Sequence, residues 1–476
     1  AFVVEGVRLV EEAFSSGWPV ELVLYSGELS VRGRQALAGL DQTGAEVEEI
    51  AAYLMDGLTD TETSQGILAV IRRKELPLPP DADFFVIADA IRDQAASVAY
   101  AHASMFTNEA LEDLSEELAA RLPLSDARMF YLSSGSEAVE AAIKFARQAQ
   151  IARGEVDRYK VIGRWRSYHG LTLGALAVMG RPSMRHTYEP MFADMPRIAP
   201  VYCYRCPFNL TYPSCEMRCA ETLADEIRWH GADRVAAFIA EPIAGAGLGA
   251  VVPPDEYWPR IREICDEHGV LLIADEVMTG MGRTGRWCAI EDWGITPDIM
   301  VLGKGVSGGY LPLSVMAARG DLVELVWEKM GDFNHGGTFS HQPVAARAGL
   351  ATLRYLEEHD LVARARVMGE ALGRKLHTAF DEHPHVGDIR GRGLMWAVEL
   401  VEDRETRHPF RREMKVFSRI SSRAFADGLI VYAMGGCVDG WAGDHVMVAP
   451  PLVVREEELD EIVERLRVAI DGAIAE

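Results

Sequence analysis

The sequence is short of positive charge. Against 72 aspartates and glutamates it has 48 lysines and arginines, which leaves a formal net charge of −24. Such a chain repels phosphate backbones unless its basic residues cluster, and the longest basic run is Arg72-Arg73-Lys74. Nucleic acid is therefore an unfavourable partner on electrostatic grounds.

Long apolar runs are also missing. No stretch approaches the roughly 18 consecutive apolar residues of a membrane span, and the N-terminus lacks the basic-then-apolar pattern of a signal peptide. Hydrophobic residues make up 49% and charged residues 25% of the chain, the balance of an ordinary globular protein. We expect a soluble, cytoplasmic protein that has no membrane partner.

The cysteines do not have the pattern of a secreted disulfide scaffold, because there are seven of them and several crowd into one short segment. The clustered ones are Cys203, Cys206, Cys215 and Cys219, whose spacing is similar to that of zinc ligands. A structural metal, a redox pair and plain buried thiols all fit this spacing. We favour plain thiols and assign no metal-binding residue.

The apolar pattern divides the chain into several compact units. Residues 1–75 have the periodicities of a small α/β unit, and the prolines of 76–93 predict a linker that ends in an apolar strand at 84–88. Residues 94–345 predict a large α/β domain with a mostly parallel sheet covered on both faces. Residues 346–476 predict a smaller C-terminal α/β domain. The strands predicted after the linker are 129–132, 160–163, 236–240, 270–274, 299–302, 394–400, 429–432 and 445–448.

Lys304 closely follows the predicted strand 299–302 and stands in a glycine-rich turn. A lysine at the end of a buried strand is partly desolvated, which lowers its pKa and frees its amine to condense with an aldehyde. The small residues around it leave room for a flat cofactor. A surface lysine that happens to follow a strand explains the same pattern, so the neighbouring strand ends decide the interpretation.

Asp275 ends the neighbouring predicted strand, 270–274. A carboxylate there can pair with a pyridinium nitrogen and keep the ring electron-withdrawing. Val277 lies two residues further, so in an extended chain it projects to the same side and can pack against a ring face. A turn-capping aspartate is the alternative, but the position of Lys304 on the adjacent predicted strand favours cofactor binding.

A phosphate-binding site is predicted at 133–138, where a strand ends and a helix begins. Exposed backbone amides, the helix dipole and two small hydroxyls, those of Ser134 and Ser136, suit an anion. Ser134 and Glu137 also fit a capping box, and the two functions are compatible.

Polar side chains follow two further strands of the predicted sheet. Tyr168 and His169 follow strand 160–163, and Glu241 ends strand 236–240. An aromatic ring at such a position can stack on a cofactor, although core packing is the usual fate of an aromatic residue. Because ligands of open α/β sheets gather at the carboxyl ends of the strands, these residues predict one common site.

Together, these motifs resemble those of class III aminotransferases, enzymes of fold type I that use pyridoxal 5′-phosphate (PLP). The resemblance spans residues 94–476, and it is the combination of motifs that is specific. The matching motifs are Ser-Gly-Ser-Glu-Ala at 134–138, Tyr-His-Gly at 168–170, Glu-Pro-Ile at 241–243, Asp-Glu-Val-Met-Thr-Gly-Met-Gly-Arg-Thr-Gly at 275–285, Gly-Lys-Gly at 303–305 and Gly-Gly-Thr-Phe-Ser at 336–340.

The resemblance implies which residues attach the cofactor. Lys304 resembles the lysine that holds PLP covalently, and Asp275 resembles the partner of the pyridinium nitrogen. Both are expected to be catalytic. Ser134, Gly135 and Ser136 resemble the cup that binds the phosphate.

Further matching residues are implied to surround the ring. Tyr168 resembles the stacking aromatic, with His169 beside it, and Val277 resembles the opposite wall. Glu241 resembles the acidic residue that supports the network near the ring. Thr338 resembles the threonine that reaches the phosphate from the other subunit, which implies a homodimer with shared active sites.

The resemblance implies PLP-dependent transamination between an amino acid or amine and a keto acid acceptor. An aminomutase or decarboxylase on the same fold is one alternative, and an inactive fusion with residual RNA association through residues 1–75 is another. Some amine transaminases hold a carboxylate with an arginine just after the strand that matches 429–432. Tyr432 stands there in this sequence, so no carboxylate clamp is assigned.

The beginning of the chain resembles a different family. Residues 5–13, 60–73 and 84–93 are similar to the substrate-binding region and first catalytic strand of knotted RNA ribose 2′-O-methyltransferases. That resemblance ends at Asp93, before the knot that binds S-adenosylmethionine, so methyl transfer is not expected. The sequence is therefore interpreted as a fusion joined between Asp93 and Gln94, which replaces the N-terminal region of the aminotransferase family.

Overall fold

The computed structural model describes residues 2–15, 19–40, 45–58, 66–72 and 85–475. The chain forms two compact units, Ala1–Asp83 and Phe84–Glu476, and each has its own apolar core. The proline-rich part of the predicted linker, 76–83, lies outside the described residues.

The N-terminal unit is a sheet with three helices in its described part. Its elements are β1 (Phe2–Glu5), α1 (Val7–Ser15), β2 (Val20–Ser26), α2 (Val31–Leu40), β3 (Glu46–Ile50), α3 (Ala52–Leu58) and β4 (Ile67–Ile71). The strands lie in the order β1-β4-β2-β3, in which β4 is antiparallel to both neighbours and β2 is parallel to β3. Val10, Val23 and Ile67 are buried in its core.

The second unit contains a large sheet, a smaller sheet and the helices that cover them. Its elements are α4 (Phe85–Ser97), α5 (Glu109–Ala119), β5 (Arg128–Leu132), α6 (Gly135–Ala152), β6 (Lys160–Arg164), α7 (Leu173–Val178), α8 (Pro182–Arg185), β7 (Arg197–Ile198), α9 (Arg218–His230), β8 (Val235–Ala240), α10 (Tyr257–His268), β9 (Leu271–Asp275), β10 (Ile299–Leu302), β11 (Ser314–Ala318), α11 (Gly320–Met330), α12 (Pro343–Glu358), α13 (Leu361–Phe380), β12 (Val386–Arg392), β13 (Met395–Leu400), α14 (Val416–Ala426), β14 (Tyr432–Gly435), β15 (Asp444–Val448) and α15 (Glu456–Ala475). None of the described helices is long and apolar enough to cross a membrane.

The large sheet has the strand order β5-β11-β10-β9-β8-β6-β7. Strands β10, β9, β8, β6 and β7 are parallel, and β11 runs antiparallel to both β10 and β5. Alternate residues of β8 enter two separate apolar clusters, Phe238 and Ala240 in one and Ala237 and Ile239 in the other. Both faces of the sheet are therefore covered, which is why its inner strands are apolar along their whole length.

The smaller sheet belongs to the C-terminal part of this unit. Its strands lie in the order β12-β13-β15-β14, and all of its pairings are antiparallel. The helices α13, α14 and α15 share an apolar cluster with it, to which Phe380, Val398, Ile420 and Leu466 contribute. The α/β fold class predicted from the sequence, with a mostly parallel sheet and a smaller C-terminal sheet, is confirmed.

Two of the strand predictions are wrong or displaced. Residues 84–88 were expected to form a strand, but helix α4 begins there, with Ile87 buried and its neighbour Val86 exposed. A short apolar run does not distinguish a strand from one face of a helix, and here the packing of α4 against α12 decides. The strand expected at 429–432 begins only at Tyr432, because pairing with β15 begins at this residue.

Candidate active site

The candidate site lies at the carboxyl edge of the large sheet, where β9 and β10 end side by side. The two strands are parallel, and Val301 pairs with Asp275 in their register. Asp275 is the last residue of β9, and Lys304 follows β10 after a single residue, Gly303. Parallel pairing therefore brings the predicted lysine and carboxylate to the same edge of the sheet.

Lys304 begins a short 3-10 turn and has a left-handed φ of 43°. This conformation is uncommon for a residue with a Cβ and is frequent at functional sites. The side chain is reachable from solvent, but desolvation by its surroundings lowers the pKa of its amine, against the opposing effect of the Asp275 and Glu241 carboxylates. A lowered pKa increases the fraction of neutral, nucleophilic amine near neutral pH.

Asp275 is buried and is held from two sides. Nδ1–H of His169 donates to Oδ2 of Asp275 at 2.7 Å, and the N–H of Val277 donates to Oδ1 at 3.1 Å. The His169 ring is fully buried, and its Nε2 has no hydrogen-bond partner among the described residues. These contacts orient the carboxylate and leave a lone pair on each oxygen for a ligand.

Helix α6 presents free amides at its first turn. Ser134 is its N-cap and accepts the N–H of Glu137, whose carboxylate accepts the N–H of Ser133, so the predicted capping interaction is shifted by one residue. Within the described residues, the N–H groups of Gly135 and Ser136 have no acceptor. Unpaired amides at a helix N-terminus are suited to an anion.

Gly170 brings the segment after Tyr168 against this helix turn. The N–H of Leu171 donates to Oγ of Ser136 at 3.1 Å, and a Cβ on Gly170 would lie only 2.3 Å from the same oxygen. The φ of Gly170 is 122°, a conformation that side chains rarely adopt. Glycine is therefore required here by both the close approach and the backbone.

The side chain of Val277 packs where β9, β10 and α6 meet. A Cβ on Gly135 would lie 3.1 Å from Cγ1 of Val277, and a Cβ on Gly303 would lie 3.3 Å from the same atom. Val277 thus lies close to the backbone of both Gly135 and Gly303. Its role as a wall for the cofactor stays a prediction.

Tyr168 is anchored to Glu241 through its backbone. Its N–H donates to Oε1 of Glu241 at 3.0 Å, while Oε2 of Glu241 lies 3.2 Å from Nη2 of the fully buried Arg164. Burial raises the pKa of the half-buried Tyr168 phenol, and Tyr432 adds to this shift. Arg164 was not predicted to be a site residue. Its position as the last residue of the apolar strand β6 could have indicated it from the sequence.

Thr338 does not join these residues within one chain. It is exposed in the segment between α11 and α12, and its carbonyl accepts a hydrogen bond from the Tyr100 hydroxyl at 3.0 Å. In the part of the chain that the structure describes, its side chain makes no hydrogen bond to Lys304 or Asp275. The predicted role of Thr338 requires a second subunit.

The clustered cysteines are free thiols, and Cys203 is exposed while the other three are partly buried. Burial raises the pKa of Cys219 to about 12, and protonated thiols are poor metal ligands. No group of three His, Cys, Asp or Glu side chains that could hold a metal ion occurs among the described residues.

The fold and these strand ends define a PLP-dependent transaminase of fold type I. An amine transaminase from an uncultivated Pseudomonas species, solved in its PLP-bound form, matches with a TM-score of 0.75 and 34% identity over 82% of this chain and 86% of that chain. An uncharacterized aminotransferase of Schizosaccharomyces pombe is 40% identical over 82% of this chain and 85% of its own length. An uncharacterized aminotransferase of Bacillus subtilis is 37% identical over 79% of this chain and 85% of its own length.

The family assignment follows from the sequence match over most of the chain. Residues 86–470 match the family described as Aminotransferase class-III. The protein therefore belongs to the class III aminotransferases, and PLP is the cofactor of this family. Residues 1–69 match the MRM3-like substrate binding domain, which confirms the second resemblance.

These matches correct the expected position of the join. The aminotransferase match begins at residue 86, within the stretch 84–93 that was attributed to the methyltransferase-like part. Helix α4 also runs without interruption through Asp93 and Gln94. The apolar run at 84–88 was mistaken for a strand of the other family, whereas it opens the first helix of the aminotransferase unit.

The residues at the strand ends fit PLP chemically. The free amides of Gly135 and Ser136 suit its phosphate, the amine of Lys304 suits its aldehyde, and the oriented carboxylate of Asp275 suits its ring nitrogen. Glycine at 135 and 303 lets the Val277 side chain pack closely against the backbone beside these groups.

Proposed function

We propose that this site transfers an amino group from an amino acid or amine to a keto acid, with Lys304 and Asp275 as the catalytic residues. The observation that carries the proposal is the pairing of their two strands, which sets a lysine of lowered pKa beside an aspartate oriented by His169. PLP, when bound here, supplies the electron sink that makes the proton on the donor carbon acidic.

Lys304 has two tasks in this proposal. Its neutral amine would hold the cofactor covalently, and when it is free of the cofactor its Nζ would accept and return the proton of the donor carbon. Desolvation supports both tasks, because it disfavours the charged ammonium form.

Asp275 and the start of α6 position the cofactor. The Asp275 carboxylate would accept a hydrogen bond from the protonated ring nitrogen, and the hydrogen bonds that it accepts from His169 and Val277 hold it in place for that contact. Ser134, Gly135 and Ser136 are proposed to bind the phosphate, in line with the unpaired amides of this turn. Tyr168 is proposed to stack on the ring.

The proposal includes a homodimer in which Thr338 of each subunit serves the site of the other. Two observations support it. Thr338 is exposed and separate from the other site residues, and the large apolar side chains of Met105, Phe106 and Phe339 are exposed in the same unit. Exposed apolar residues of this size favour a protein interface. Sedimentation of the full chain as a monomer would contradict this part.

We also propose that the aminotransferase unit divides into a large and a smaller domain, with the boundary after α12 rather than near residue 345. Leu350 and Leu353 of α12 pack in the apolar cluster of the large sheet, whereas Leu372 and Leu376 of α13 pack in that of the smaller sheet.

The charge distribution of the N-terminal unit argues against a nucleic-acid partner. Strand β3 exposes Glu46, Glu48 and Glu49, and two of the unit's arginines, Arg32 and Arg72, form ion pairs with glutamates. Carboxylates so placed repel phosphates.

Cofactor attachment tests the proposal directly. Wild type incubated with PLP and reduced with borohydride should retain PLP covalently on a peptide that contains Lys304, as read by mass spectrometry. Lys304→Ala should retain none, whereas the exposed Lys329→Ala, a matched control on α11, should behave as wild type. Covalent PLP in the Lys304 variant, or none in the wild type, would contradict the assignment.

A further inference from the structure

Arg181 is a buried arginine without a carboxylate partner. It is 6% exposed, its Nη2 lies 3.3 Å from the carbonyl of Gly435, and its Nη1 has no hydrogen-bond partner among the described residues. The other two arginines buried in the described residues, Arg164 and Arg185, lie 3.2 and 3.7 Å from carboxylates. A buried cation with no carboxylate in ion-pair contact is costly, so an anion from outside the chain is expected at Arg181.

Backbone hydrogen bonds set Arg181 beside the segment that carries Tyr168. The N–H of Arg166 donates to the carbonyl of Gly180 at 2.7 Å, and the N–H of Gly180 donates to the carbonyl of Ser167 at 3.2 Å. The residue after Gly180 therefore lies next to the chain that leads into Tyr168, at the edge of the candidate active site.

Strand β14 also contacts Arg181. It begins at Tyr432 and ends at Gly435, whose carbonyl accepts a hydrogen bond from the Arg181 guanidinium. Burial lowers the pKa of the guanidinium, against the opposing electrostatic effects of Tyr432, Tyr168, Cys437 and the more distant Glu241 carboxylate. Arg181 thus interacts with both the expected stacking aromatic and the first residue of β14.

The phosphate of the cofactor is not the best candidate for the anion expected at Arg181, because the unpaired amides of Gly135 and Ser136 already offer it a binding site. Transamination brings a different anion into the same site, since an amino acid donor and a keto acid acceptor both carry a carboxylate. A guanidinium with a free N–H binds a carboxylate through strong, charge-assisted hydrogen bonds.

We propose that Arg181, together with the hydroxyls of Tyr168 and Tyr432, forms the subsite that binds the substrate carboxylate. This assignment rests on the proposed transamination for its biological meaning. Arg181 then determines specificity, because it favours substrates that carry a carboxylate over amines that lack one. It also supplies the clamp for which sequence reasoning found no residue.

The kinetic test compares two donors that differ only in the carboxylate, L-phenylalanine and 2-phenylethylamine. In Arg181→Gln, kcat/KM for the amino acid should fall by roughly 10- to 100-fold, the loss expected for a hydrogen bond to a charged group. For the amine it should change by less than about threefold. Arg181→Lys should recover part of the loss, and Arg234→Gln, which removes an exposed arginine, should change neither donor. Equal losses for both donors would overturn the proposal.

A binding test separates this inference from the proposed function. Isothermal titration of 3-phenylpropionate, a carboxylate without an amine, requires no turnover. Binding by wild type that weakens about tenfold or more in Arg181→Gln supports the subsite even if neither donor reacts, an outcome that would count only against transamination of these two donors. No binding by wild type, or equal binding by the variant, overturns the subsite. A loss of PLP affinity in Arg181→Gln would also overturn it, because the arginine would then serve the phosphate. If the glutamine variant does not fold, Arg181→Lys carries the comparison.

Discussion

Replacing the buried Glu276 by glutamine should change how the stability of the aminotransferase unit depends on pH. Glu276 follows the catalytic candidate Asp275, is 1% exposed, and accepts hydrogen bonds from the N–H of Ile290 at 2.8 Å and from the hydroxyl of Thr279. Despite these donors, burial raises the pKa of its carboxyl from 4.5 to about 7. Glutamine keeps an acceptor for Ile290 and removes the titration.

The direction of the effect follows from proton linkage. The folded state holds the proton of Glu276 more tightly than the unfolded state, so its contribution to stability is complete below pH 4.5 and is lost as the pH rises to about 7. The difference between these two pKa values corresponds to about 3 kcal/mol. Between pH 4.5 and 7.5, the free energy of unfolding of the wild type should therefore fall relative to Glu276→Gln by about this amount, and no further above it.

Urea unfolding at a series of pH values, followed by tryptophan fluorescence, measures this difference. All tryptophans except Trp18 belong to the aminotransferase unit, so the signal reports mainly on that unit. Glu328→Gln, at an exposed position of α11, is the matched control, and its difference from wild type should stay flat. Parallel stability curves for the wild type and Glu276→Gln would refute the reasoning, because they would mean that folding does not raise the pKa of Glu276.

Two further substitutions probe the site itself. Asp275→Asn should retain PLP but slow the half-reaction with an amino donor by about a hundredfold or more, because the amide no longer stabilises a protonated ring nitrogen. Stopped-flow absorbance measures this rate. An unchanged rate would contradict the role assigned to Asp275. Gly170→Ala should weaken PLP binding and lower the free energy of unfolding by roughly 1–3 kcal/mol, because its Cβ would lie 2.3 Å from Oγ of Ser136 in a backbone conformation that side chains avoid. Gly154→Ala, with a similarly positive φ but no atom within 4 Å, separates backbone strain from the clash. Equal losses in both alanine variants would mean that the contact with Ser136 is unimportant.

Much of the fold could be predicted because it depends on local patterns. Strands that are buried on both faces are recognisable as apolar runs, and β8, β9 and β10 lie within a residue of where these runs predict them. Strand β11 was missed because its Ser314–Ala318 segment has small residues and no distinctive pattern. Its position between β5 and β10 results from antiparallel pairing with chain segments far away in sequence.

The candidate site shows the same division. A lysine after one buried strand and a carboxylate at the end of the next could be predicted to meet, since parallel strands end at the same edge of a sheet. The pair of Arg164 and Glu241 follows the same rule, because β6 and β8 are parallel neighbours, and Arg164 was missed because the strand was expected to end at residue 163. The contact of His169 with Asp275 could not be predicted in this way, because His169 lies in the segment after β6 rather than at a strand end.

The sequence by itself determined the family, the cofactor and the order of the chemical groups along the strands, because short motifs and apolar periodicity encode these features locally. Tertiary structure alone decided that residues 85–97 form a helix, that His169 orients Asp275, and that Arg181 is buried with no carboxylate in ion-pair contact. Each of these depends on what distant segments bring to the same place. Burial and pairing are properties of the assembled core, and no local stretch of sequence contains them.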